Sequence, residues 1–206
     1  MRRESSTVVA LVGAVGDELL AGLGRSSNVS IARAAEAGPD QPKAGEARVE
    51  RPGWEAGALA MREAARRRST YVLVPDDPLA SVAAAWRAMW DVQGGSPGAT
   101  GFEEEVADAL AAWREKRFEL PDYYLVVAPA QPINTGPDLY LGPLRAARPH
   151  RVAVAGVAER PGQAASLLDT LRSLKHGPWW PPLDQLMDAA RHFYAGGLAE
   201  TQLAAP

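Results

Sequence analysis

A repeating order of apolar strand, turn and amphipathic helix is the feature that most constrains how this chain can fold. The order begins with an apolar run at 7–12, passes through a turn at 13–16 and enters an amphipathic helix at Asp17. Such alternation predicts an α/β fold with a mainly parallel sheet. Ligands of these folds gather at the carboxyl ends of the strands, so a site is expected at that edge of the sheet.

Five segments are predicted as strands, and the fourth has the continuous apolar run of a strand that is buried on both faces. The predicted strands are 8–12, 28–32, 70–74, 122–128 and 151–157. The predicted helices are 17–23, 54–68, 78–91, 102–118, 139–147, 163–175 and 183–194. Three further segments are predicted as a long exposed loop (35–52), a flexible connector (94–101) and a loose tail (196–206).

Composition narrows the functional classes. The 206 residues, 47% of them hydrophobic, suit one α/β domain over 1–206 with a sizeable core. A net charge of -3 gives no basic excess for nucleic acid. The sequence has no cysteine, which removes thiol nucleophiles, disulfides and zinc–cysteine or iron–sulfur sites. No apolar run approaches the roughly 20 residues of a membrane span, so a cytoplasmic protein is expected.

The turn at 13–16 is the best candidate for a nucleotide site. Gly13 and Gly16 would let a phosphate approach backbone N–H groups at a helix N-terminus. The segment 8–16, VVALVGAVG, resembles the opening of dinucleotide-binding Rossmann domains and of their short-chain reductase relatives. The resemblance covers fewer than about 20 residues, and Leu19 stands where the family has its third glycine. It implies a Rossmann-like, doubly wound sheet and a bound nucleotide.

The charges around this turn favour a structural interpretation. Asp17 and Glu18 place two negative charges where a pyrophosphate would lie. The second strand is followed by Arg33, which would suit a 2′-phosphate, rather than by an acidic residue for a ribose. The sequence therefore favours a tight strand-to-helix turn without a cofactor, with a nucleotide as the weaker alternative.

Polar residues follow three other predicted strands at the same edge. Asp76, after the third strand, would hold Mg²⁺ or act as an acid or base, whereas Asp77 is explained as a helix N-cap before Pro78. Ordinary turn chemistry is the alternative for the whole set. The candidate ligand-binding residues at this edge are Gly13, Gly16, Asp76, Gln131, Asn134 and Glu159.

Other catalytic patterns are weak. The connector 94–101 lacks the Lys and Ser/Thr of a phosphate-binding P-loop, and no G-x-S-x-G elbow is present. The three histidines, His150, His176 and His192, are not at metal-ligand spacing. No metal site is predicted.

A pair of tryptophans is the best candidate for a contact surface. Trp179 and Trp180 precede two prolines in a corner that is hard to bury completely, and Trp is enriched at binding hot spots. Core packing is expected instead for Trp86 and Trp113.

We therefore expect a three-layer α/β/α sandwich with about five mostly parallel strands and the first strand in the centre. Two functional classes fit this fold. The favoured one is a non-catalytic accessory or regulatory protein that acts through a protein partner or self-association. The alternative is a protein that binds a small ligand or nucleotide at the carboxyl edge, with or without an enzyme activity.

Overall fold

A computed structural model describes residues 6–34, 53–90, 98–127, 138–156 and 162–203, without the side chains of 98–99 and 197–203. The strands are β1 Thr7–Gly13, β2 Val29–Ile31, β3 Tyr71–Val74, β4 Tyr123–Val127 and β5 Val152–Ala155. The helices are α1 Asp17–Leu23, α2 Gly53–Ala64, α3 Ala80–Trp90, α4 Gly98–Arg114, a π-helix Tyr140–Leu144, α5 Arg145–Ala147, α6 Gln163–Arg172 and α7 Leu183–Leu203.

The five strands form one parallel sheet in the order β2-β3-β1-β4-β5. The predicted α/β fold and the central position of the first strand are confirmed. At the centre, Val9 of β1 is level with Leu73 of β3 and Tyr123 of β4. In dinucleotide-binding domains the second strand lies beside the first, whereas here β3 lies between them.

Alternation along β1 divides the core into two layers. Val9 and Leu11 pack with α1 and α6 on one face of the sheet. Ala10 and Val12 point to the other face, which α3, α4 and α7 cover. Because both faces are covered, the buried strands can be apolar at nearly every position, as the sequence of β4 is.

Trp86 lies at the centre of the larger layer and has no exposed surface. Its ring contacts aromatic rings from α3, α4 and α7 at centroid distances of 5.5 to 6.4 Å. The core role predicted for Trp86 is confirmed, and Trp113 packs partly buried against the same layer.

Helix α2 lies unusually close to the turn between β3 and α3. A Cβ atom at Gly57 would come within 2.2 Å of the backbone nitrogen of Pro78. The absence of a side chain at Gly57 therefore sets how closely α2 can approach the sheet.

Several predicted helix boundaries are wrong. Helix α4 begins at Gly98, so 98–101 is its first turn, and the glutamates Glu103, Glu104 and Glu105 fall in the second turn. Packing of Phe102 against Trp86 outweighs the low helix propensity of the glycines. Helix α2 ends at Ala64 instead of position 68, because its last turn closes with i→i+3 bonds.

Helix α7 continues past the predicted end at position 194 to Leu203 and so enters the segment predicted as a tail. Helix propagation from the packed turns at Leu186 and Ala190 accounts for this continuation.

The predicted helix at 139–147 begins as a π-helix. Pro143 has no N–H to offer the carbonyl of Leu139. That carbonyl accepts instead from the N–H of Leu144, five residues on, at 3.1 Å. Because this donor is missing, the hydrogen bond spans five residues instead of four, which is the pattern of a π-helix.

Candidate functional site

The turn after β1 is tied to β4 by backbone contacts. Gly13 has φ +96°, and a Cβ there would come within 2.4 Å of the carbonyl oxygen of Val127. That carbonyl accepts from the N–H of Ala14 at 3.1 Å, and the N–H of Val15 donates to the Gly13 carbonyl at 2.9 Å. Glycine is therefore required at position 13 by conformation and by space, and two N–H groups of the turn bond to the protein itself.

The first turn of α1 carries an ion pair. Gly16 is its N-cap and makes no side-chain cap bond. The Asp17 carboxylate lies 2.6 Å from the guanidinium of Arg33, which follows β2, and both side chains are largely exposed. This pair directs Arg33, which would suit a 2′-phosphate, at the carboxylate of Asp17, whose charge opposes a phosphate at this turn.

Asp76 links the carboxyl ends of two neighbouring strands. Its side chain accepts a hydrogen bond from the backbone N–H of Ala34 at 2.8 Å. Ala34 follows β2 and Asp76 follows β3. A bond of this kind fixes the course of the chain beyond β2, which is a structural use of the carboxylate.

Asp77 is a buried acid with two tyrosines around it. One carboxylate oxygen accepts from the backbone N–H of Leu79 at 3.1 Å, just before α3, whose first residue is Ala80 rather than the predicted Pro78. The other accepts a hydrogen bond from the hydroxyl of Tyr140 in the π-helix. The Tyr124 hydroxyl faces the same carboxylate from β4 with a geometry short of a full hydrogen bond.

Burial dominates the electrostatics of this group. Desolvation raises the pKa of Asp77 to about 6, against the lowering effect of its hydrogen bonds from Tyr140 and Leu79 and of the nearby Tyr124 hydroxyl. Desolvation and the neighbouring carboxylate raise the pKa of both tyrosines well above its usual range. A buried acid with such a pKa is a common property of functional sites, but here hydrogen bonds and packing enclose it.

Tyr124 and Tyr140 were missed by the sequence analysis. Both are aromatic residues inside apolar runs, and such residues usually serve packing. The sequence held one signal for these tyrosines, which was Asp77. An acid beside a buried strand needs hydroxyl or N–H partners, and tyrosine can supply a hydroxyl.

Three of the predicted ligand-binding residues lie outside the described residues: Gln131, Asn134 and Glu159. The long loop predicted at 35–52 also falls outside them. Of the other three, Gly13 and Asp76 make the contacts that join neighbouring strands, and Gly16 caps α1.

The two tryptophans of the corner before α7, Trp179 and Trp180, differ in burial. Trp180 is 5% exposed, packs edge-on against Tyr124 and donates its indole N–H to the carbonyl of Pro121 at 2.8 Å. The expectation that both tryptophans resist burial is therefore wrong for Trp180. Trp179 is 37% exposed.

Arg151 anchors this corner. Its buried guanidinium donates to three backbone carbonyls and lies 4.8 Å from the ring centroid of Tyr123 and 4.9 Å from that of Trp179. The accepting carbonyls are those of Asp122, Gly177 and Pro178. An arginine between two aromatic rings explains how the corner is fixed beside the start of β5.

Three exposed hydrophobic side chains border the outer strand β5. Val154 of the strand is 42% exposed, and Leu141 of the adjoining π-helix is 39% exposed. Trp179 lies against Arg151, the residue before the strand. We call Leu141, Val154 and Trp179 the β5 surface.

The chain matches no family model, no curated protein and no solved structure. Among the described residues, no three His, Asp or Glu side chains are grouped as metal ligands would be. No helix within the described ranges has the length and apolar character needed to cross a membrane.

Proposed function

We propose that this α/β chain is a non-catalytic accessory or regulatory protein that acts through protein–protein contacts on its β5 surface. One observation carries the proposal: the outer strand is uncharged and presents a half-exposed valine. Natural edge strands usually carry charge, proline or a bulge that prevents pairing with another chain. The sequence Val-Ala-Val-Ala of β5 has no charge or proline, and Val154 is 42% exposed.

Two further exposed side chains belong to elements next to this strand. Leu141 and Trp179 are each more than one third exposed and come from the π-helix and from the corner before α7. Large apolar side chains that border an unpaired edge are typical of contact sites. Within the described ranges, β5 pairs with β4 alone.

The carboxyl edge supports a non-catalytic role. The N–H of Ala14 bonds to β4, Asp76 bonds to the N–H of Ala34, and Asp77 bonds to Tyr140. Groups that a ligand would need are thus used to join neighbouring segments of this protein.

A second copy of the chain is the occupant that suits β5 best. Antiparallel pairing about a two-fold axis would set Ala153 opposite Ala153 of the second copy, and Val152 opposite Val154, because directly opposed residues must point to the same face of the sheet. In this register Arg151 faces Ala155 of the other copy, so the two arginines do not oppose each other. A four-residue strand contributes little area, and we expect a dissociation constant in the micromolar range, about 10–100 µM.

Sedimentation velocity tests the proposal. Wild type at rising concentration is expected to shift from monomer to dimer. Val154→Lys places a charge on the exposed edge without altering the core, and it is expected to remain monomeric. Gln185→Lys is the control, since it adds the same charge at an exposed position of α7. A monomer at about 200 µM wild type, or equal dimerisation of Val154→Lys, would overturn the proposal.

A further inference from the structure

An open cleft of about 630 Å³ lies along α1 and β2, at the opposite edge of the sheet from β5. We call it the α1/β2 cleft. Its apolar lining includes Leu20 and Ala21 of α1 and Ile31 of β2. The volume falls within the range of small-molecule sites in proteins, about 300–1,000 Å³.

Three arginines line this cleft, each from a different part of the chain. Arg25 follows α1, Arg33 follows β2, and Arg67 lies between α2 and β3. The single carboxylate among the described residues of the lining is that of Asp17. Because the whole chain has a net charge of -3, this local excess of positive charge is opposite to that of the protein.

Ion pairs orient two of these arginines without enclosing them. Arg33 lies 2.6 Å from Asp17, and Arg67 lies 2.8 Å from Glu63 on α2. Their side chains are 51% and 46% exposed. Exposed pairs of this kind are worth little, roughly 0–1 kcal/mol, so a ligand with two negative charges can compete for the guanidinium groups.

We propose that the α1/β2 cleft binds a small organic anion with at least two negative charges, of the class of a nucleoside diphosphate. Arg25 and Arg33 hold the anionic groups, since the guanidinium fork matches phosphate oxygens. The apolar part of the ligand lies against Leu20 and Ile31. The size of the cleft and the overall negative charge of the chain both disfavour a nucleic acid polymer.

Calorimetric titration of the full chain with ADP tests this site. Saturable binding is expected, with inorganic pyrophosphate at least about threefold weaker and adenosine weaker still, because each lacks one half of the recognised ligand. The absence of saturation with ADP up to about 5 mM overturns the proposal. Pyrophosphate binding as tightly as ADP contradicts the role of the apolar lining and overturns it as well.

Two variants locate the binding. Arg25→Gln removes an exposed guanidinium, and Ala21→Glu adds a carboxylate to the cleft at an exposed helical position. Each is expected to weaken ADP binding about five- to tenfold. Arg114→Gln, an equal loss of charge at an exposed position of α4, is expected to leave the affinity unchanged. If all three variants bind ADP as the wild type does, the ligand lies elsewhere and the proposal is wrong.

Discussion

The hydroxyl of Tyr140 donates a hydrogen bond to the buried carboxylate of Asp77. This bond joins the π-helix to the turn between β3 and α3, two segments 63 positions apart in the chain. Burial raises the pKa of Asp77 to about 6, so the folded protein binds a proton there more tightly than the unfolded chain does. The free energy of unfolding should therefore depend on pH through the ionisation of Asp77.

We predict that Asp77→Asn changes how stability depends on pH. In the wild type, the contribution of Asp77 is greatest below its unfolded pKa of 3.8 and is lost as pH rises through about 6. The loss amounts to about 3 kcal/mol at neutral pH. Asparagine does not ionise, so the variant should gain about this much relative to wild type between pH 4 and pH 8. Urea unfolding at both pH values measures it, and a constant difference would contradict the assignment.

Tyr140→Phe should destabilise the protein at pH 8, whereas Asp77→Asn should stabilise it there. Without the hydroxyl, the charged carboxylate loses a donor, the pKa of Asp77 rises further, and stability at pH 8 falls by about 1.5–3 kcal/mol. The loss should be smaller at pH 5, where Asp77 is mostly protonated. Tyr123→Phe is the control, because that hydroxyl donates to the backbone carbonyl of Lys175. A loss for Tyr140→Phe that is equal at the two pH values would exclude coupling to Asp77.

Gly57→Ala should destabilise the protein by about 2–3 kcal/mol, because the new methyl group meets the backbone of Pro78. Gly101→Ala is the matched change, since a Cβ there meets nothing within 4 Å and lies inside α4. It should stabilise by about 0.5–1 kcal/mol through better helix propensity. Thermal unfolding of both variants compares them, and equal shifts would show that α2 does not approach the turn so closely.

Trp180→Ala should lower the free energy of unfolding by about 3–5 kcal/mol, since Trp180 is buried against Tyr124. Trp179→Ala should lower it much less and should weaken self-association instead. Denaturant unfolding and sedimentation of the two variants separate these effects. A stable Trp180→Ala variant that fails to associate would contradict this prediction and would support a contact role for Trp180, as its sequence context suggests.

The architecture was predictable because strand periodicity and turn residues are local properties of the sequence. The apolar run of β4 predicted its burial on both faces, and Asp77 with Pro78 placed the start of α3 two residues before Ala80, where the helix begins. The beginning of α4 was not predictable, because packing of Phe102 against Trp86 overrides glycine propensity only in three dimensions.

The position of the candidate site was predictable, but the hydrogen-bond partners of its residues were not. Asp76 and Asp77 do lie beyond β3, yet their partners Ala34 and Tyr140 are 42 and 63 positions away. No short-range pattern encodes such pairs. The exposed edge at Val154 was not predictable either, because an apolar strand has the same sequence pattern at the edge of a sheet as in its centre.

Amide hydrogen exchange at low and high protein concentration tests most directly whether the protein acts through β5. The N–H groups of β5, Val152–Ala155, should become more protected at high concentration, as pairing with a second copy covers that edge. Strand β2, Val29–Ile31, lies at the other edge of the sheet and serves as the internal reference, whose exchange should not change. Exchange in β5 that is independent of concentration, or protection that appears at β2 instead, would contradict the account.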